Sequence, residues 1–342
     1  MEATDPAPAE APIEPSPAAV PEPPAVEVAG ALSEIFSYKS FVHAISGAVG
    51  GTTAISVFFP LNTARIRIQV ADSKEAKDIW GTIASVIEDE GPMGLYQGWK
   101  SAVMAIGCSN FVYFYTYSLL KYYYKRTTGE RVGTGANLLV ASMAGVVNVL
   151  LTSPFWTVNT RLVAQHKKKM RGKTNEIVYK GIVDCMEKII EKEGVLGLWS
   201  GVIPSLWLVS NPSVQFVVYD KVRHFMTAFA KSRGRRITPL EFFLMGAIAK
   251  AAATIATYPL QLAQSKLRAD KEKKYRGTIH VLQELRAANG IAGLFQGIQA
   301  KLWQTVLTAA FQFLTYEEVK YIVFLLLLGP KKNPKVVPTS AQ

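Results

Sequence analysis

The stretch that decides the fold is FFPLNTARIRIQ, Phe58 to Gln69, because it returns twice along the chain. It reappears as TSPFWTVNTRLVAQ, Thr152 to Gln165, and as TYPLQLAQSKLR, Thr257 to Arg268. Each copy is followed by a second shared string: EGPMGLYQG at Glu90 to Gly98, EGVLGLWSG at Glu193 to Gly201, and NGIAGLFQG at Asn289 to Gly297. The prolines stand at 60, 154 and 259 and the closing glycines at 98, 201 and 297, so one unit of about 100 residues occurs three times, with loop insertions between copies. Self-similarity at a fixed period takes precedence over local signals, because the repeat is the unit that folds.

Within a copy the order of parts is constant. An apolar stretch rich in small residues runs into the proline, a basic segment follows, and a short amphipathic helix comes next, read from DIWGTIASVIEDEG, YKGIVDCMEKIIEKEG and YRGTIHVLQELRAANG. A second apolar stretch completes the copy. Apolar stretches near 20 residues can cross hydrocarbon as helices. The pattern predicts six spans, near 40–68, 99–122, 136–163, 202–223, 240–266 and 298–322, with both termini on one side. The expected fold is therefore an all-α membrane protein: six transmembrane helices in three pseudo-threefold repeats, each with a kinked odd helix, a short amphipathic helix and an even helix. Residues 1–37 read as a Pro/Ala/Glu-rich tail, 38–130, 131–232 and 233–328 as the repeats, and 329–342 as a basic tail.

Composition agrees. A chain of 342 residues with 49% hydrophobic side chains and positive mean hydropathy fits a membrane class better than two or three soluble domains. The formal charge of +12 admits nucleic acid, anionic lipid or an anionic solute as partner, and only its placement discriminates. The N-terminal tail carries seven acids and no Lys or Arg before Lys39, so it reads as disordered and as the opposite of a mitochondrial presequence. No cleavable address is visible, and the terminal PTSAQ is not a Ser-Lys-Leu import signal. Cys108 and Cys185 are too few for a disulfide framework and lack zinc-ligand spacing, so both read as free thiols.

The predicted spans carry Asn110, Asn148, Asn211, Gln215, Lys250, Lys301, Gln304 and Gln312. Polar groups at membrane depth are costly unless they face other helices or water, so the bundle should enclose a wet cavity. Gly47 with Gly51, and Ala141 with Gly145, allow close helix approach.

These features resemble the mitochondrial carrier family, over roughly residues 38 to 325. Members carry, three times, a proline followed at fixed offsets by an acidic and two basic residues, and later an acidic-Gly string that closes on aromatic, basic and Gly. The prolines Pro60, Pro154 and Pro259 are expected to kink the odd helices toward a common axis. The resemblance implies a matrix-side gate of interhelical ion pairs. Here its acidic slots hold Asn62, Trp156 and Gln261, and its basic slots hold Arg65, Asn159 and Gln264, so none of the three pairs can form. Amide and aromatic contacts should close this gate with a lower barrier to opening, unless these side chains merely pack at a kink. The family's opposite, cytosolic gate is better kept: Tyr219-Asp220 with Arg223, Tyr316-Glu317 with Lys320, and a half motif, Tyr117 with Lys121, whose acid is replaced by Ser118. The plainer alternative is exposed surface charge of under about 1 kcal/mol per pair.

The resemblance also places substrate contacts about seven positions beyond each closing glycine, at Ala105, Leu208 and Gln304; counting back from Tyr219 selects Trp207 instead of Leu208. None is cationic, so anion binding is expected from Lys250 and Lys301. Lys250 stands nine residues before Pro259, where the other copies have Gly51 and Gly145. A buried lysine needs a partner, which a phosphate could supply, unless it snorkels or pairs internally. Asn110, Tyr113 and Tyr117 share one helix face suited to stacking and reading an adenine ring, or simply to helix packing. The basic loop HKKKMRGK, His166 to Lys173, reads as a solvated loop or as an anion funnel or targeting element.

Longer strings are similar to the family's peroxisomal branch: GCSNFVYFYT at Gly107 to Thr116, VNTRL at Val158 to Leu162, NPSVQFVVYD at Asn211 to Asp220, and AKLWQTVLTAAFQFLTYE at Ala300 to Glu317. That branch implies transport of CoA, FAD, NAD and AMP, ADP or ATP as substrates, with no bound cofactor and no metal. It further implies a monomer in the bilayer, inserted with the help of peroxisomal import factors. A mitochondrial inner-membrane carrier and a non-transporting adaptor of the same fold are the alternatives. No phosphate-cradling loop, metal spacing or nucleophile elbow supports an enzyme, and no soluble basic face supports a nucleic-acid binder.

Overall fold

The computed structural model describes residues 52–72, 78–129, 133–165, 178–235 and 237–311. The expectations for Gly47 and Gly51, the two tails, the loop His166 to Lys173, and Gln312, Tyr316, Glu317 and Lys320 lie outside them. Each third of the chain repeats the same order. The first contains helical residues 52–57, α1 (Phe59–Val70), α2 (Ile79–Glu90) and α3 (Trp99–Thr128). The second contains α4 (Thr134–Ala164), α5 (Ile182–Glu193), α6 (Val202–Trp207) and α7 (Asn211–Ser232). The third contains α8 (Pro239–Ala269), α9 (Thr278–Gly293) and α10, helical over 298–311. The proline helices α1, α4 and α8 contact one another pairwise.

Four stretches among the described residues are long and apolar enough to cross a membrane: Pro92–Thr128, Gly135–Ala164, Val195–Ser232 and Leu240–Ala269. Their polarity is inverted relative to a soluble protein. Phe111 and Phe114 are each 71% exposed and Leu139 69%, whereas Arg161 and Lys266 are at most 3% exposed. Apolar surface of this extent is stable only when hydrocarbon is the solvent.

The prolines act in two ways. Pro60 lies in the first turn of α1, just after Phe58 leaves helical geometry, whereas α4 and α8 continue as helices through Pro154 and Pro259. A proline inside a helix leaves the carbonyl four residues earlier without its donor. Trp199 Nε1 donates to that carbonyl, Leu150 O, at 2.8 Å, and the tie holds α4 together. The predicted span 202–223 is divided into α6 and α7 by a 3₁₀ turn at Leu208–Ser210, because Pro212 at the start of α7 has no N–H to continue an α-helical ladder.

Short helix α5 shows why the amphipathic segments form. Cys185 and Ile189, four residues apart, point inward and pack with Val158, Leu162, Tyr179 and Leu198, while Asp184 and Lys188 pair outside at 2.8 Å. The closing glycines Gly98, Gly201 and Gly297 have φ of 81°, 77° and 77°. A Cβ on them would come within 2.6 Å of Val163 Cγ2, 3.0 Å of Arg268 Cγ and 2.9 Å of Ile68 Cγ2, respectively. In each case the obstacle is the end of the next repeat's proline helix, so the glycine satisfies both a left-handed turn and a close repeat-to-repeat approach.

Candidate functional site

A cavity of about 600 Å³ lies among the proline helices and their partners. Its wall carries four cations, Arg65, Lys250, Arg268 and Lys301, and no Asp or Glu among the described residues. Lys250 is exposed to the cavity space, while Gly145, its counterpart in the second repeat, packs against Val209. All four basic side chains face one cavity, so their charges add in a single field. Like charges gathered between low-dielectric walls focus potential and attract anions.

The gate slots Asn62, Arg65, Trp156, Asn159, Gln261 and Gln264 all line this cavity. Three of them reach back to the even helix of the preceding repeat. Ser101 Oγ donates to Asn159 Oδ1 at 3.0 Å, Gln264 Nε2 donates to Ser205 Oγ at 2.6 Å, and Gln304 Nε2 donates to Asn62 Oδ1 at 3.2 Å. Asn62 Oδ1 also accepts from Arg65 Nη2 at 2.9 Å, within its own helix. Gln261 Nε2 donates to Thr257 Oγ1 at 3.0 Å, and Asn211 Nδ2 to the same hydroxyl at 2.9 Å. The amide ties between repeats at this level are thus neutral, with one charged donor beside them, Arg268 Nη2 to Ser205 Oγ at 3.1 Å, and Arg65 has no carboxylate partner among the described residues.

Just beyond the gate slots lies a second ring, at the seventh residue after each proline. Arg67 forms a bidentate pair with Glu90, at 2.6 and 3.0 Å, and donates to Val163 O and Gln165 O at the end of α4. Arg161 pairs with Glu193 and donates to Arg268 O and Asp270 O at the end of α8. Lys266 donates to Val70 O at 3.3 Å and Ala71 O at 2.9 Å, closing the circle at the end of α1. Each base therefore caps the orphan carbonyls of the next repeat's helix, a favourable site for a cation. The third position departs from the other two. Asn289 replaces the acid, and Lys266 has no ion pair among the described residues; Gln296 Nε2 adds bonds to Ile68 O at 2.7 Å and Ala71 O at 2.9 Å.

The remaining candidates are dispersed. Tyr113 and Leu208 stand on the cavity wall. Ala105 is fully buried off the wall, Asn110 is exposed off it, and Trp207 is 60% exposed. The two ways of counting the fourth span are thus separated by the 3₁₀ turn, which leaves Leu208 inside. Gln304 contacts the gate through Asn62 rather than the wall itself. Tyr113 stacks on Tyr117 at 6.1 Å, Tyr117 donates to Asn137 Oδ1 at 2.5 Å, and Lys121 lies 5.8 Å from the Tyr117 ring. Asp220 faces His224 on its own helix at 3.4 Å, and no ion pair links Lys121, Asp220 or Arg223 to another helix among the described residues. Tyr219 is half-buried.

Sequence reasoning missed Arg268, Ser101 and Ser205. Arg268 follows Gln261 by seven residues and Gln264 by four, so helical spacing alone sets it on the gate face. The serines carry no such signal, since their role depends on which helix lies opposite.

With that geometry in place, the comparisons with known proteins fit it. The mitochondrial carrier protein family matches three times, over residues 36–128, 130–229 and 235–325. The chain is 42% identical to peroxisomal membrane protein PMP34 of Mus musculus, over 89% of this chain and 100% of that protein. It is 33% identical to a peroxisomal nicotinamide adenine dinucleotide carrier of Arabidopsis thaliana, over 84% and 97%, and 27% identical to peroxisomal adenine nucleotide carrier 1 of Glycine max, over 86% and 95%. Three repeats of one helical unit around a cationic cavity, matched along nearly the whole chain, place this protein in the mitochondrial carrier family.

Proposed function

We propose that this protein is a peroxisomal membrane carrier that exchanges adenine-containing nucleotides and cofactors, namely CoA, FAD, NAD and AMP, ADP or ATP. The observation that carries this reading is the cavity with four cations and no carboxylate among its described lining residues. Such a field selects anions and suits phosphates, which accept several charge-assisted hydrogen bonds. Tyr113 offers an aromatic surface on the same wall for a base. The relatives, by name, point to the peroxisome, nicotinamide adenine dinucleotide and adenine nucleotides; CoA and FAD come from the resemblance of the long strings.

In this reading six spans form three repeats, assigned to 38–130, 131–232 and 233–328, with both termini in the cytosol and the chain acting as a monomer in the bilayer. Peroxisomal import factors insert it. Substrate binds one central site, in contact with Lys250, Lys301, Tyr113 and Leu208, and the repeats rock so that one gate opens as the other closes. The amide ring is the gate on the matrix-equivalent side, and the Tyr-Asp/Glu motifs with their basic partners are the cytosolic gate. Substrate must bind the two states unequally along the path for transport to be driven.

Reconstitution into liposomes loaded with adenine nucleotide tests the proposal. Exchange of labelled nucleotide, CoA or FAD above protein-free vesicles is expected, and its absence for every one of these solutes would overturn the reading. Lys250→Ala should weaken uptake of phosphate-bearing substrates; unchanged uptake would remove Lys250 from the site.

A further inference from the structure

Two of the four cavity cations sit in the gate itself, and their surroundings are incomplete in the same way. Arg65 reaches the wall from α1 and Arg268 from α8. Among the described residues each spends a single side-chain hydrogen bond, on a neutral oxygen that already serves another donor. Asn62 Oδ1 accepts from Arg65 at 2.9 Å and from Gln304 at 3.2 Å. Ser205 Oγ accepts from Arg268 at 3.1 Å and from Gln264 at 2.6 Å, and donates to Gly201 O. Both Nε atoms are buried with no hydrogen-bond partner among the described residues. A guanidinium has five donors and is always charged, and a buried donor without an acceptor is costly.

The two groups also repel each other, with no carboxylate among the described lining residues to offset the repulsion. The backbone passes close behind Arg268: a Cβ on Gly201 would come within 3.0 Å of its Cγ. This is a geometry that lacks one component: a planar or tetrahedral oxyanion able to take several donors at once, which phosphate is.

We propose that Arg65 and Arg268 form a phosphate site at the gate, so that the transported substrate supplies the negative charge the gate's own side chains lack. Bound phosphate ties α1 to α8 and favours the closed ring of amide bonds; in the empty carrier, repulsion between the two arginines favours separation of the same helices. Closure of this gate thus depends on substrate. The proposal rests on the nucleotide reading for the identity of the substrate, but the phosphate site itself is testable without it.

The experiment uses the full chain purified in detergent and reconstituted in vesicles, with inorganic pyrophosphate as the probe. Pyrophosphate should raise the thermal unfolding midpoint of the native protein and inhibit nucleotide exchange, while equal ionic strength of chloride does neither. Arg65→Gln and Arg268→Gln should each weaken pyrophosphate binding at least tenfold, which is about 1.4 kcal/mol. Arg268→Lys, which keeps the charge and loses the fork, should weaken it about threefold to tenfold. Pyrophosphate binding within twofold of the native protein in both Gln variants overturns the proposal. If those variants do not fold, native affinity in Arg268→Lys together with Arg65→Lys overturns it. Pyrophosphate stabilisation that is lost in the variants, in a protein that exchanges no nucleotide, would support the phosphate site and reject the substrate reading alone.

Discussion

Two adjacent rings of side chains cross the same three helices, and they are built from opposite chemistry. The ring of Arg67, Arg161 and Lys266 is buried and charged, and two of its members hold carboxylates. The ring of Asn62, Asn159 and Gln264 joins repeats through neutral hydrogen bonds to Gln304, Ser101 and Ser205. Breaking a buried ion pair strands a charge, whereas losing a neutral hydrogen bond costs much less. The difference suits the two tasks proposed above: the charged ring's caps tie each repeat to the next, and a gate at the neutral ring would open without separating an ion pair.

The largest expected effect comes from breaking the charged ring. Glu193→Ala removes the partner of Arg161, whose side chain is 1% exposed, and should destabilise the protein by about 3–5 kcal/mol in thermal or denaturant unfolding. A loss comparable to that of a surface pair would erase the distinction between the rings. Lys266→Met tests the exceptional third position. It removes two hydrogen bonds to carbonyls but strands no carboxylate, so about 1–3 kcal/mol is expected, less than for Glu193→Ala.

Converting the neutral ring toward the charged kind sharpens the comparison. Asn62→Asp places a carboxylate where Arg65 already donates at 2.9 Å, supplying the missing counter-charge. Nucleotide exchange should fall about tenfold, equivalent to roughly 1.4 kcal/mol, while thermal stability holds or rises. Unchanged exchange would show that the gate's missing charge is irrelevant to transport. Gln264→Ala, by contrast, should cost only about 0.5–1.5 kcal/mol of stability.

The smallest effect concerns Cys185, under the second repeat's charged pair. Burial pushes its thiol up to about 12. The folded value exceeds the unfolded one, so this group's contribution to stability is complete below the unfolded pKa and is lost as pH rises through the folded one. In a Cys108→Ser variant, which removes the half-buried second thiol, labelling by iodoacetamide at pH 8 should be confined to denatured protein; rapid labelling of the native variant would contradict the burial of Cys185.

Much of this was legible before any coordinates. The prolines and closing glycines announced the repeat, and spans predicted at 136–163 and 240–266 fall within three residues of helices α4 and α8 at each end. Lys250 in place of a glycine marked the cavity. Other features were not legible. Trp207 or Leu208 depended on a 3₁₀ turn, a local choice that counting from either end cannot settle. Ala105 was selected by an offset and is buried off the wall, because a helix face is defined by its neighbours as well as by spacing.

The sequence by itself determined the threefold repeat, the helical class, the membrane as solvent and the loss of the gate's ion pairs. All of these follow from periodicity and residue type, which are properties of one strand of chain. Only the tertiary structure decided which donor meets which acceptor: that Arg67 caps α4, that Asn159 meets Ser101, and that Arg65 and Arg268 share the cavity without a carboxylate among its described lining. Such pairings join distant residues, Gln304 and Asn62 being 242 positions apart, and contacts at that distance are set by how the repeats close on one another.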